Sequence, residues 1–71
     1  MNRYFEFVGG SSAKFYEIST SGNRVTIRFG RIGTEGQSQV KTLADDDAAI
    51  THAETLASQK LAKGYRETVA C

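Results

Sequence analysis

A chain of 71 residues has room for one domain around a thin core, and 39% hydrophobic with 24% charged residues is the make-up of a globular fold, not of a disordered segment. One cysteine, Cys71, excludes an internal disulfide and a cysteine-ligated metal. A net charge of +1 announces no polyanion partner by itself, although residues 1–44 carry six Lys and Arg against three Glu, and residues 45–71 carry three against five acids.

Arg3 and Glu6 interrupt the apolar run that an N-terminal signal peptide needs, and no stretch approaches the ~20 apolar residues of a membrane span, so a cytoplasmic setting is expected. Residues 4–8 alternate as a strand, with Phe5 and Phe7 on one face. Gly9-Gly10-Ser11-Ser12 reads as a hairpin loop. Residues 14–19 form a second strand, with Tyr16 and Ile18 facing away from Phe15 and Glu17. Ser21-Gly22-Asn23 then lies between two alternating runs, a tight-hairpin signal. In residues 24–29, Val25, Ile27 and Phe29 alternate with Arg24, Thr26 and Arg28, a third strand.

Residues 37–43 suit a fourth strand with one face in water or against a ligand, Val40 and Leu43 being its apolar members. The composition then changes. Asp45-Asp46-Asp47 places acids where a helix N-cap and the helix dipole favour them. Ala49, Ile50, Ala53, Leu56, Ala57 and Leu61 recur at helical spacing as one apolar stripe, and Gly64 follows Lys60 and Lys63 where a helix would stop. Residues 65–69 form a short fifth strand returning to a sheet edge. The expected fold is α+β: one domain over residues 1–71, an antiparallel sheet of four to five strands with one amphipathic helix packed on one face.

The distinctive stretch is Arg28-Phe29-Gly30-Arg31-Ile32-Gly33-Thr34-Glu35-Gly36-Gln37. Gly30 ends the clean alternation and marks a bend, a bulge or a close approach by another backbone. Gly33 and Gly36 bracket a turn at Thr34-Glu35, so Arg28 and Arg31 are expected on either side of a kink. No nucleophile or general base stands here. The available chemistry is planar stacking and multidentate hydrogen bonding to an anion. Elsewhere His52 shares the polar helix face with Thr55 and Gln59, without a nucleophile at a recognisable spacing. The three consecutive aspartates lack the alternation of a calcium loop. An enzyme, a cofactor and a metal site are therefore not expected.

Phe29-Gly30-Arg31-Ile32-Gly33-Thr34-Glu35-Gly36-Gln37 resembles the signature of the WGR domain, named for a Trp-Gly-Arg tripeptide. The likeness extends to Lys14-Phe15-Tyr16-Glu17-Ile18, Val25-Thr26-Ile27-Arg28, Lys41 and Lys63-Gly64-Tyr65, in the family's order. Phe29 replaces the tryptophan, which keeps a stacking face and loses the indole N–H. In WGR domains of the poly(ADP-ribose) polymerases, the tryptophan stacks on the sugar at a broken DNA end and the arginine contacts DNA or neighbouring domains. The resemblance implies those roles for Phe29 and Arg31, with Gly30 permitting close approach.

Two readings of Phe29 stand side by side: core residue with Val25 and Ile27, or stacking platform. Arg31 is either half of a surface ion pair with Glu35 or a guanidinium fork for phosphate. Arg28 and Arg24 share a face and extend a basic strip, as does Lys41 if the third and fourth strands pair. Local pattern does not fix Lys14 relative to these. Together they suit phosphate-backbone contacts around an aromatic platform. The expected function is a non-catalytic nucleic-acid-binding module for DNA backbone and strand ends, a monomer without a small-molecule substrate. The alternative is a protein-interaction adapter docking a catalytic or regulatory partner.

Overall fold

Period-two alternation in residues 4–8, 14–19 and 24–29 becomes three long antiparallel strands joined by two-residue turns. The computed structural model describes residues 2–68, so the expectations for Val69 and for the Cys71 thiol lie outside it. Strand β1 (Asn2–Gly9) pairs with β2 (Ser12–Ser21), which pairs with β3 (Arg24–Arg31). The first hairpin is tighter than the Gly9–Ser12 loop expected from sequence. Gly9 pairs with Ser12 and only Gly10-Ser11 turn the chain, because two residues suffice when their twist matches that of the strands. Gly22-Asn23 closes the second hairpin, and the Asn23 side-chain amide donates to the Leu43 carbonyl at 3.0 Å.

Strand β4 (Gln37–Thr42) adds to the outer edge of β3, and the helix α1 (Asp46–Ala62) follows. Strand β5 (Arg66–Thr68) returns to the opposite edge against β1, giving the order β4-β3-β2-β1-β5. An α+β fold with a five-stranded antiparallel sheet and one helix is thus observed. Among the described residues no helix is long and apolar enough to cross a membrane.

The helix crosses β2 and β3 on one sheet face. Asp45 caps its start, its carboxylate accepting from the Ala48 N–H at 2.8 Å, while Asp46 and Asp47 occupy the first turn. No group of three or more possible metal ligands gathers among the described residues. Ala49, Ala53 and Ala57 are fully buried and let the helix lie close over Phe5, Ile18 and Val25. Each of those three fully buried side chains contributes about 1.5–3 kcal/mol. The expected stripe was wider than the buried one: Ile50 and Leu61 remain 42% and 45% exposed. A narrow seam of alanines fits the shallow sheet surface and leaves the larger flanking side chains outside it.

Candidate nucleic-acid interface

The end of the helix sets the geometry of the site. Lys63 caps α1, the Gly64 N–H donates to the Leu61 carbonyl at 3.1 Å, and the Tyr65 N–H donates to the Lys60 carbonyl at 3.0 Å. This paired closure is a Schellman motif, which turns the chain sharply and brings Tyr65 back beneath Lys60. The Tyr65 ring meets the Tyr16 ring edge-on, centroids 6.4 Å apart, and the Phe7 ring at 5.4 Å. Tyr16 in turn lies against Phe29, with centroids at 6.4 Å and ring planes 30° apart. Strand alternation puts Tyr16 and Phe29 on the helix-bearing face, and the Schellman turn sets Tyr65 beside them.

An open hollow of about 490 Å³ results. Tyr16, Phe29 and Tyr65 form its floor, and Lys14, Arg31 and Lys60 stand around it. Among the described residues its lining contains three cations and no carboxylate. Lys60 extends its ammonium over the floor, 4.3 Å from the Tyr16 centroid and 5.4 Å from that of Tyr65, so the rings hold it by cation–π attraction. Burial, followed by the charges of Lys63 and Lys14, pushes this ammonium below the usual lysine value. An anion entering the hollow would offset this by Coulomb attraction to the ammonium. Burial, and secondarily Tyr65, raises the Tyr16 phenol above its usual value, so it stays neutral and can donate a hydrogen bond.

Arg31 pairs with Lys14 across β2 and β3, which places both on the same face by register. Of the two readings of Arg31, the ion pair with Glu35 does not form: among the described residues the ion pairs are Arg3–Glu67 and Arg28–Glu17. The guanidinium of Arg31 is exposed at the rim. The core reading of Phe29 holds, and its ring is not wholly enclosed. It packs against the core cluster and also lines the hollow, half-buried.

The expected kink at Gly30 is absent, because β3 runs on through Gly30 and Arg31, paired with Phe15 and Lys14. Of the three readings of Gly30, the close approach by another backbone holds, that of the returning loop. A Cβ on Gly30 would lie 2.7 Å from the Gly36 Cα, and a Cβ on Gly36 would lie 2.3 Å from the Phe29 carbonyl oxygen. With the strand unbroken, Arg28 and Arg31, three residues apart, fall on opposite faces of the sheet. Arg28 lies over the Phe15 ring at 4.6 Å and donates to Glu17, away from the hollow. Arg24 is exposed and shares the Arg28 face by alternation. Lys41 pairs with Val25 and so faces the helix side, but Val25 and Arg31 are six positions apart along the strand, about 20 Å. The structure therefore gathers Phe29, Gly30 and Arg31 and leaves Arg28, Arg24 and Lys41 elsewhere.

Sequence reasoning did not reach Lys60 and Tyr65 as site residues. Their signal was present: Lys60 continues the Ala53-Ala57 stripe as a charge on an apolar face, and Tyr65 directly follows the helix-ending glycine.

The chain matches the WGR domain over residues 1–70. It is 38% identical over 65 residues to the protein YehF of Escherichia coli strain K12, a match covering 92% of this chain and 24% of YehF. It is 28% identical over 67 residues to YfeS of the same strain, covering 94% of this chain and 28% of YfeS. A crystal structure of a Bacteroides fragilis protein superposes with a TM-score of 0.94 at 39% identity, over 97% of this chain and 20% of that one. The chain thus spans roughly a quarter of the length of these curated relatives.

Proposed function

This chain belongs to the WGR domain family, and we propose that it is a non-catalytic module that binds DNA by its backbone, strand ends among its targets. The observation that carries the reading is the hollow itself: three aromatic rings for a floor, and Arg31, Lys14 and Lys60 around it with no carboxylate in the lining among the described residues. A nucleotide is complementary to that arrangement, with a flat apolar ring system beside phosphate oxygens. Arg31 offers a planar fork that binds two oxygens at once, and the lysines act as point charges. Phe29 supplies the stacking face through its ring alone. This reading carries a monomer in the cytoplasm that uses no small-molecule substrate.

Fluorescence anisotropy with a short duplex bearing a 5′-phosphate tests it. Three phosphate contacts give a log–log salt slope of about −2.7, a loss of roughly fortyfold between 50 and 200 mM salt. Phe29→Ala and Arg31→Gln, checked for folding by circular dichroism, should each weaken binding, and only Arg31→Gln should flatten the slope. Absence of saturable binding up to about 100 µM, the weak end of non-specific DNA affinity, overturns the proposal.

A second reading, an adapter for a protein partner, draws support from the relatives, in which the matching region accompanies about three times its own length of other chain. Binding by that route would be largely indifferent to salt and would concentrate in one desolvated anchor.

A further inference from the structure

Arg28 has a task on the sheet face opposite the hollow. Its Nε donates to Glu17 Oε1 at 3.0 Å, its Nη1 donates to the Glu35 carbonyl at 2.9 Å, and its guanidinium covers the Phe15 ring. Phe15 is 3% exposed although α1 lies on the opposite face of the sheet. Tyr4 stacks on it, ring planes 11° apart with centroids at 5.9 Å, and the Gly36 backbone presses against its edge, leaving a Cβ there only 2.8 Å from Phe15 Cζ. The segment from Arg31 to Gly36 has few other ties: the Ile32 N–H donates to the Ala13 carbonyl at 3.0 Å, and the Thr34 N–H and hydroxyl both donate to the Arg31 carbonyl. One arginine thus joins the strand, a buried ring and the far end of the loop that begins at Arg31.

We propose that Arg28 is a positioning residue for anion recognition: through Glu17, Phe15 and the Glu35 carbonyl it clamps the 32–36 loop from behind and so fixes Arg31 at the rim of the hollow. The proposal rests on the DNA-binding reading for its functional consequence but has a structural consequence that stands without it. Arginine is required, because the clamp uses two donors on different nitrogens and a planar face at the same time. A lysine keeps the charge and has one compact head, so it cannot serve carboxylate, carbonyl and ring together.

The partner Glu17 separates a clamp from a simple charge effect. Glu17→Gln removes a negative charge; if charge alone governed DNA binding, affinity would rise. A loosened clamp has the opposite sign and lowers it. Arg28→Lys leaves net charge unchanged, so charge alone predicts no change, whereas the clamp predicts a loss.

The experiment measures amide hydrogen exchange in the free protein and duplex binding across a salt series, for the wild type, Arg28→Lys, Glu17→Gln and the double variant. Expected are faster exchange at Ile32 and Thr34 with the β1–β2 amides unchanged, and affinity lower by roughly two- to tenfold, the size of one ordinary hydrogen bond. The salt slope should stay at the wild-type value, and the double variant should be no worse than the poorer single one. Unaltered exchange at Ile32 and Thr34 in Arg28→Lys overturns the inference. So does tighter binding by Glu17→Gln, or a slope reduced in Arg28→Lys as it is in Arg31→Gln. If the wild type binds no duplex, the DNA-binding reading falls while the exchange data still decide the clamp.

Discussion

Gly36 offers the sharpest test of how the loop is built, with Gly33 as its internal control. Both glycines sit in the left-handed region, at φ 73 and φ 96. An alanine at either position incurs about 1–2 kcal/mol for that backbone geometry. At Gly33 nothing lies within 4 Å of the added Cβ, so the conformational term stands alone. At Gly36 the Cβ meets the Phe29 carbonyl oxygen at 2.3 Å and Phe15 Cζ at 2.8 Å. Neither can retreat freely, since Phe29 is held in the β3 ladder and Phe15 is stacked between Tyr4 and Arg28. Overpacking of this kind adds about 1–3 kcal/mol.

Gly33→Ala should therefore lose about 1–2 kcal/mol and Gly36→Ala about 2–5 kcal/mol, the sum of these two effects. A 71-residue domain has roughly 4–11 kcal/mol in total, so the second variant approaches unfolding and the first does not. Urea denaturation followed by circular dichroism, with equal m-values as the check on a common reference state, measures both. Thermal scans should separate the two by about 4–8 °C per kcal/mol of difference. Loss of equal stability by the two variants, within about 0.5 kcal/mol, would refute the close-approach account of Gly36.

Ala53→Leu should destabilise the domain by about 1–3 kcal/mol, because Ala53 is fully buried where the helix touches the sheet; a stability unchanged in urea would mean that the seam is slack. Lys60→Met should raise the melting temperature, since it removes an ammonium that burial and two neighbouring lysines disfavour, and should weaken duplex binding while flattening the salt slope. A lower melting temperature with unchanged binding would contradict that assignment. Hydrogen bonds from Arg3 hold the Glu67 carboxyl below its usual value of 4.5, burial opposing them and the Arg3 charge adding to them. A carboxyl depressed in the folded state stabilises above its unfolded pKa, and that contribution disappears as pH falls through the lower folded value. Glu67→Gln should flatten the acid limb of stability below about pH 4.5, by a small amount because the pair is exposed. An unchanged limb would exclude the pair as its source.

Much of the fold was legible in the residues because its determinants are local. Alternation in residues 4–8, 14–19 and 24–29 reports which side chains share a face, and that parity survives folding whatever lies above the sheet. Asp45 and Gly64 mark the helix ends because they act on backbone groups only a few residues away. Phe29 was legible as ambiguous, and it occupies both environments, packed on the core at one side and lining the hollow at the other. Gly30 was legible as an anomaly whose reason was not. Its missing side chain admits Gly36, and the sequence around Gly30 contains nothing to tell a bend from a neighbouring backbone.

The residues by themselves determined the strands, the helix, their facing sides and the presence of an arginine–aromatic–glycine stretch, all consequences of period, propensity and capping within a few positions. The tertiary structure alone decided which cations meet. Lys60 and Arg31 are 29 positions apart in the chain and come together because the helix ends over the β2–β3 end of the sheet and a Schellman turn folds Tyr65 beneath it. Arg28 and Arg31 are three apart and are separated because an unbroken strand sends them to opposite faces. Proximity along a chain fixes direction only within one element; between elements it is set by how sheet and helix close on a shared core, which no local pattern encodes.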